Sequence, residues 1–214
     1  MSQQSATPLF RDFIITILFI CSTIATSEAT HGLVNIREIC PTIQTDIRYA
    51  TTKNFTGQVV YRNFRGKTYL LRHVAEALAA VQKDLEPHGL GLLIWDAYRP
   101  LPAQAVLWEI MPDPRYVGPP SKGGRHTHGT AVDCTLIEKP SNICLRMPTA
   151  FDDFSEQAAA DYPGACAEDK RNRALLRFAM EKHGFAALPS EWWHFDYKDW
   201  KDHPPLNIDF DQLP

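Results

Sequence analysis

The hydrophobic positions of this chain follow two different periods, and the helical one is clearest in residues 69–89. Apolar side chains recur there every three or four positions, at Leu71, Val74, Leu78, Val81 and Leu85. This spacing places them on one stripe of an α-helix, which Pro87 and Gly89 then end. Two further helices are predicted, over the amphipathic residues 168–184 and over residues 99–111, where prolines occupy the first turn.

Other apolar segments lack the helical period and predict strands. They are residues 33–39, 43–50, 90–97, 130–137 and 191–197, with a further short strand expected from the segment 54–62. Strands and helices are interspersed without a regular strand–helix–strand alternation. We therefore predict the α+β class, as a single domain with a central, largely antiparallel sheet flanked by helices.

The N-terminal segment differs from the rest of the chain. A continuous apolar run occupies residues 13–25, follows Arg11 and precedes the small residues of Ser27–Ala29. A secretion signal has these three parts, whereas a membrane span needs about 20 apolar residues. We predict a signal peptide over residues 1–29, a mature domain over residues 30–214 without a stable membrane span, and export to the periplasm. The alternative is a buried first helix.

Composition narrows the function classes only a little. A chain of 214 residues with 44% hydrophobic content suits one domain with a core. A net charge of -3 lacks the basic excess of a nucleic-acid-binding protein, so no such partner is expected. After signal removal four cysteines remain, and we expect Cys144 with Cys166 as the first pairing to test. Free buried thiols are the alternative.

The first candidate for chemistry is the stretch GGRHTHGTAVD, which runs from Gly123 to Asp133. His126 precedes Asp133 by seven residues, and an odd spacing puts two side chains on opposite faces of one strand. They can converge only if His126 lies before the strand. Gly129 permits the backbone bend that this arrangement needs.

A second stretch, SEWWHF, places Glu191 three residues before His194. On one strand these two would face apart, so we expect Glu191 at a bend after Pro189 and only His194 within the strand. Two histidines, a carboxylate and a further glutamate form the set of a catalytic zinc site. In such a site three protein side chains and a water bind the zinc, and a glutamate that is not a ligand takes a proton from the water as general base. Taken singly, each histidine is more often a core or surface residue.

A third stretch, IWDAYRP over residues 94–100, ends a buried strand with Arg99. One interpretation is a structural arginine paired with Asp96. The other is a fixed cation that stabilises the oxyanion formed when a carbonyl is attacked.

Together the segments WDAYRP, HTHGTAVD and EWWHF resemble the VanX-type D-alanyl-D-alanine dipeptidases of the zinc D,D-peptidase family. The resemblance starts near Asp46 and covers nearly the whole mature chain in the same order. It implies one zinc ion per chain on the sheet, held by His126, Asp133 and His194. It further implies Glu191 as general base and acid.

The same resemblance implies that Arg99 stabilises the transition state and that the substrate is a small D,D-dipeptide, hydrolysed to free D-alanine in a confined cavity. Asp152 matches the position that holds the substrate ammonium, with Asp153 as its competitor. Tyr49 matches a residue that lines the cavity. These assignments complete the predicted site.

The chain departs from the family pattern at three positions. Gly124 stands where serine is usual, His128 where arginine is usual, and Pro148 where glycine is usual. We expect His128 to point away from the metal. The changes at Gly124 and Pro148 keep one alternative open, a D,D-carboxypeptidase or endopeptidase acting on longer peptidoglycan peptides. A non-catalytic binding module on the same fold is the second alternative.

Overall fold

The computed structural model describes residues 31–214, so the signal peptide predicted for residues 1–29 lies outside the described residues. In chain order the strands and helices are β1 (Leu33–Asn35), α1 (Ile36–Ile39), β2 (Gln44–Thr45), β3 (Tyr69–Leu71), α2 (Arg72–Leu85), β4 (Leu90–Asp96), α3 (Leu101–Ile110), β5 (Ala131–Glu138), α4 (Ala167–Lys182), β6 (Phe185–Leu188) and β7 (Glu191–Tyr197). Among these helices none combines the length and apolar character that a membrane crossing needs.

The central sheet contains the strands that build the candidate site. Within residues 31–214 its order is β2-β4-β5-β7-β6. β2 is parallel to β4, and the other neighbouring pairs are antiparallel. β1 and β3 form a separate antiparallel pair. The predicted α+β class with a largely antiparallel central sheet is therefore confirmed.

The helices flank this sheet and cover its apolar side. α2 packs against β4, α4 packs against β5 and β6, and the two helices contact each other. On β5, Val132 and Cys134 belong to the hydrophobic core. Asp133 points to the opposite face, because successive side chains of a strand alternate. The alternation thus leaves Asp133 available for a polar site.

The strands predicted near the N-terminus are shorter in the structure. β1 ends at Asn35, whose side chain accepts a hydrogen bond from the backbone two residues later and starts the helical turn α1. The strand predicted for residues 43–50 is reduced to β2, followed by a 3₁₀ turn over Arg48–Ala50. No strand forms at residues 54–62 of the described chain. Such local side-chain-to-backbone bonds compete with sheet pairing.

The remaining predicted elements agree better with the structure. α3, α4, β4, β5 and β7 lie within two residues of their predicted ends. The helix predicted from residue 69 begins only at Arg72, because Tyr69–Leu71 pairs with β1 as β3. β6 was not predicted, since its four residues, Phe185–Leu188, are too few to show a period.

The expected disulfide between Cys144 and Cys166 is absent from the structure. Cys40, Cys134, Cys144 and Cys166 are all free thiols. Cys166 lies before the first turn of α4, where its sulfur accepts the backbone N–H of Asp169 at 3.5 Å. Cys134 is fully buried in the core, as the free-thiol alternative describes.

Candidate active site

A short 3₁₀ helix over Arg125–His128 brings the first histidine back over the sheet. The helix ends at Gly129, which has a left-handed φ of 69°, and β5 follows at once. The turn places the Nε2 atom of His126 3.3 Å from the Oδ1 atom of Asp133. His126 therefore lies before the strand, as its spacing from Asp133 predicts.

The pairing of β5 with β7 supplies the second histidine. Asp133 and His194 are direct partners in the register of the two strands. His194 Nδ1 lies 2.9 Å from Asp133 Oδ1 and 3.1 Å from His126 Nε2. The ligand atoms of the three residues all lie within 4.8 Å of one another, and the three side chains are buried. The structure thus brings the three predicted ligands together.

Hydrogen bonds on the far side of each ring fix which nitrogen faces this cluster. The Nδ1 atom of His126 donates to the carbonyl oxygen of Ala97 at 2.8 Å. The Nε2 atom of His194 donates to Asp196 Oδ1 at 2.9 Å, and Asp196 also pairs with Arg125. Bonds of this kind orient histidines that ligate metals.

Asp196 is a positioning residue that the sequence analysis missed. It lies two residues after His194 on β7, so both side chains share one face of the strand. The carboxylate–histidine spacing in HFDY is the signal that could have indicated it.

Electrostatics at the cluster favour a charged carboxylate. Burial opposes ionisation of Asp133, but His126 and His194 outweigh it and hold its pKa below the usual value. The group is therefore an anion facing two imidazole nitrogens, in a space that water does not reach freely. A divalent cation can take the place of the protons in such a set, because metal binding displaces them.

A cavity of about 280 Å³ opens beside the cluster. Every residue predicted for the site contributes to its lining: Tyr49, Arg99, His126, Asp133, Asp152, Glu191 and His194. Residues that are far apart in the sequence thus meet on one surface.

Glu191 is the first residue of β7 and does not lie at a bend before it, which corrects the prediction. A register shift in the β6–β7 pairing joins Leu188 to Glu191. Because of this irregularity, Glu191 and His194 both line the cavity despite their odd spacing. Burial raises the pKa of Glu191 to about 8, and attraction to His194 offsets that rise only in part.

Arg99 forms the predicted ion pair with Asp96 and also lines the cavity. Its Nη2 atom donates to Asp96 Oδ2 at 2.6 Å and its Nη1 atom donates to Gln104 Oε1 at 2.8 Å. Tyr61 donates to the same aspartate at 2.6 Å. The guanidinium carbon lies 5.0 Å from the ring centre of Tyr49. The structural ion pair therefore holds a cation stiffly at the cavity wall.

The structure distinguishes Asp152 from its neighbour Asp153 as the candidate substrate-binding residue. Asp152 lines the cavity and accepts hydrogen bonds from the Tyr49 hydroxyl and the Phe55 backbone N–H, each at 3.0 Å. Asp153 instead accepts the backbone N–H of Ser155. Burial raises the pKa of Asp152 to about 7, and its two hydrogen bonds limit the rise.

The departures from the family pattern have different structural settings. A Cβ atom at Gly124 would lie 2.5 Å from the Gln104 side chain, so the glutamine that bonds Arg99 occupies that space. His128 lines the cavity but lies outside the three-residue cluster. Its Nδ1 atom donates to the carbonyl oxygen of His203 at 2.6 Å. Pro148 does not contribute to the cavity lining.

Two imidazoles and a carboxylate in a buried cluster, with a second carboxylate and a fixed arginine on the same cavity, are typical of a metal-dependent hydrolase. The profile of the Peptidase_M15 family, described as D-ala-D-ala dipeptidase, matches residues 29–210. The chain belongs to this family and is a peptidase.

Curated relatives of similar length support this assignment. The chain is 38% identical over 181 residues to the D-alanyl-D-alanine dipeptidase of Escherichia coli (strain K12), covering 85% of this chain and 92% of that protein. It is 31% identical to the D-alanyl-D-alanine dipeptidase of Streptomyces coelicolor, with 82% and 95% covered. The same-named protein of Enterococcus faecium is 29% identical, with 84% and 97% covered.

Among solved structures the likeness is more distant. The vancomycin resistance D,D-pentapeptidase VanY in complex with Zn(II) gives a TM-score of 0.38 at 12% identity, covering 64% of this chain and 78% of that one. The LdcB LD-carboxypeptidase gives a TM-score of 0.41 at 16% identity, with 71% and 74% covered. Neither likeness is close enough to bear on the site.

Proposed function

We propose that this protein hydrolyses D-alanyl-D-alanine to free D-alanine with the help of one zinc ion held by His126, Asp133 and His194. The observation that carries the proposal is the buried cluster of these residues on the same cavity as Glu191 and Arg99. Family membership and the names of the relatives supply the substrate class.

The donor set fits zinc. Two neutral imidazole nitrogens and one carboxylate oxygen are ligands that zinc accepts, and catalytic sites keep three protein ligands. When bound, zinc would polarise the substrate carbonyl and supply a water that loses a proton near neutral pH. The bonds to Ala97 and Asp196 hold both imidazoles with one nitrogen free for the metal.

Glu191 moves the proton in this proposal. Its carboxylate is buried on the cavity wall, outside the three-residue cluster. A carboxylate oxygen there accepts the proton of the attacking water and later delivers it to the departing amine nitrogen. Burial raises the pKa of Glu191, which makes its carboxylate a stronger base for the proton of the water.

Arg99 and Asp152 each bind one part of the substrate, the attacked carbonyl and the ammonium group respectively. The guanidinium, fixed by Asp96 and Gln104, places positive charge where the carbonyl oxygen becomes an anion. The half-buried Asp152 carboxylate offers a partner for the substrate ammonium, and the Tyr49 hydroxyl donates a hydrogen bond to it. A cavity of about 280 Å³ lies at the small end of ligand sites, which favours a dipeptide over a longer chain.

The experiment is an assay of D-alanine release from D-alanyl-D-alanine, with and without a chelator, followed by re-addition of zinc. We expect activity that the chelator abolishes and zinc restores. A pentapeptide ending in D-alanyl-D-alanine is the second substrate. Cleavage of the pentapeptide in preference to the dipeptide would replace this proposal by a D,D-carboxypeptidase, and no cleavage of either would support a binding module.

We also propose that the chain is exported with removal of residues 1–29 and acts in the periplasm. The support is the apolar run that follows Arg11 and ends in small residues. N-terminal sequencing of the protein from a periplasmic extract should begin near Thr30. Recovery of the intact chain from the cytoplasm would contradict this location.

A further inference from the structure

We propose a second metal site, formed by His73, Asp199 and His203, that takes a divalent transition-metal ion such as zinc. The ligand atoms of these three residues all lie within 4.8 Å of one another. His73 Nε2 is 3.0 Å and His203 Nε2 is 3.4 Å from the same oxygen, Asp199 Oδ2. None of the three belongs to the cluster in the active-site cavity.

The bonding at this place is incomplete without a cation. The Nε2 atom of His73 is buried and has no hydrogen-bond partner in residues 31–214, although a carboxylate oxygen lies close to it. The other oxygen of that carboxylate, Asp199 Oδ1, is also buried and lacks a partner in the same part of the chain. Buried polar atoms are nearly always hydrogen-bonded. A cation between the rings and the carboxylate would satisfy them together.

The three ligands come from elements that the fold already holds in place. His73 is the second residue of α2, whose buried stripe anchors it to the core. Its ring packs edge-on against Tyr197 at 5.4 Å between centroids and stacks on His203 at 5.2 Å. The His203 carbonyl oxygen accepts the bond from His128. The site therefore needs little ordering when an ion arrives.

The donor chemistry selects the class of ion. Two imidazoles and one carboxylate suit zinc, nickel and copper, whereas magnesium and calcium prefer oxygen ligands throughout. The side chains of His73, Asp199 and His203 are 41%, 30% and 31% exposed, although the Nε2 atom of His73 itself is covered. Water can thus complete the coordination sphere, and competition with solvent makes this site weaker than the buried cluster.

An ion here would fix one wall of the active-site cavity. The segment between Asp199 and His203 carries Trp200, which lines that cavity. Trp200 packs against His128 and beneath the guanidinium of Arg125, whose carbon lies 5.1 Å from the indole centre. The ion would tie this wall to the first turn of α2, so we assign the site a positioning role.

The test is the zinc content of the full mature chain after dialysis at increasing buffered free zinc, read by mass spectrometry of the metal. We expect the parent to bind one ion at low free zinc and a second at higher free zinc. His73→Ala and His203→Ala should lose only the second ion. His88→Ala removes an exposed histidine outside both clusters and should keep two.

Circular dichroism checks the fold of each variant, and Asp199→Asn keeps the side-chain size if an alanine variant unfolds. A parent that never exceeds one ion, or ligand variants that still bind two, would overturn the second site. D-alanine release measured at low free zinc, where only the first ion is bound, reads the first site by itself, so failure of one proposal is distinguishable from failure of the other.

Discussion

Glu191 is the residue whose role is most sharply separable from metal binding. Its carboxylate lies on the cavity but outside the ligand cluster. In Glu191→Gln the amide has no basic oxygen for the proton, so we expect turnover to fall about 10²–10⁴-fold. Zinc content should stay that of the parent. Steady-state kinetics with metal analysis checks both quantities.

His194→Ala is the matched control for that variant, because it removes a ligand. We expect it to lose zinc as well as activity. If Glu191→Gln also lost its zinc, Glu191 would be a ligand and the assigned roles would be wrong.

At the residue scale, a second variant can distinguish the positive charge of Arg99 from the arrangement of its hydrogen-bond donors. Its planar group donates to Asp96 and Gln104 at once while facing the cavity. Arg99→Lys keeps the charge but loses this fork of donors. We expect kcat to fall about 10²–10³-fold, the range seen when one oxyanion donor is removed, with KM less affected. A change confined to KM would show that Arg99 binds the ground state.

At the scale of elements, the turn between the 3₁₀ helix and β5 decides whether His126 reaches the cluster. Gly129 has a φ of 69°, and an added Cβ atom would lie 2.9 Å from the Leu33 side chain. We expect Gly129→Ala to lower the free energy of unfolding by about 1–3 kcal/mol and to weaken zinc binding. Denaturant unfolding and zinc titration measure these two effects.

Gly57→Ala is the control for this turn. Gly57 has a similar φ of 66°, but nothing lies within 4 Å of its added Cβ atom. It carries the same backbone strain without the clash and lies far in sequence from the ligands. Equal losses of stability and zinc affinity in the two variants would mean that close packing at Gly129 does not matter for the site.

At the scale of the whole molecule, buried carboxyls make the stability of the zinc-free protein depend on pH. The pKa of Asp152 is raised from 3.8 to about 7 by burial. Between these values the folded state binds more protons than the unfolded state, so stability falls as pH rises. We expect Asp152→Asn to flatten this decline between about pH 4 and pH 7.

The measurement is urea unfolding of the zinc-free parent and of Asp152→Asn across that pH range. Asp153→Asn is the neighbouring control, because its side chain bonds a loop N–H and does not line the cavity. Parallel pH curves for the parent and Asp152→Asn would contradict the assignment.

The fold and site were predictable to different extents, for physical reasons. α3, α4, β4, β5 and β7 follow from local periodicity, which records the buried face of each element. β6 leaves no such record because its four residues are too few to show a period. The pairing of β1 with β3 leaves none because the two strands are distant in sequence. The predicted ends of β1 and β2 were wrong, because local turns take the place of sheet pairing after Asn35 and after Thr45.

By itself the sequence determined which residues are candidates for the site, because a zinc ligand or a proton carrier requires particular side chains. His126, Asp133, His194 and Glu191 were predicted in this way, and the structure brings them to one cavity. The tertiary structure decided the partners around these residues: Asp196 bonds His194, and Gln104 bonds Arg99 and fills the space beside Gly124. It also brought the side chains of His73 and Asp199 into contact. Contacts between distant residues depend on how whole elements pack, and no local pattern encodes them.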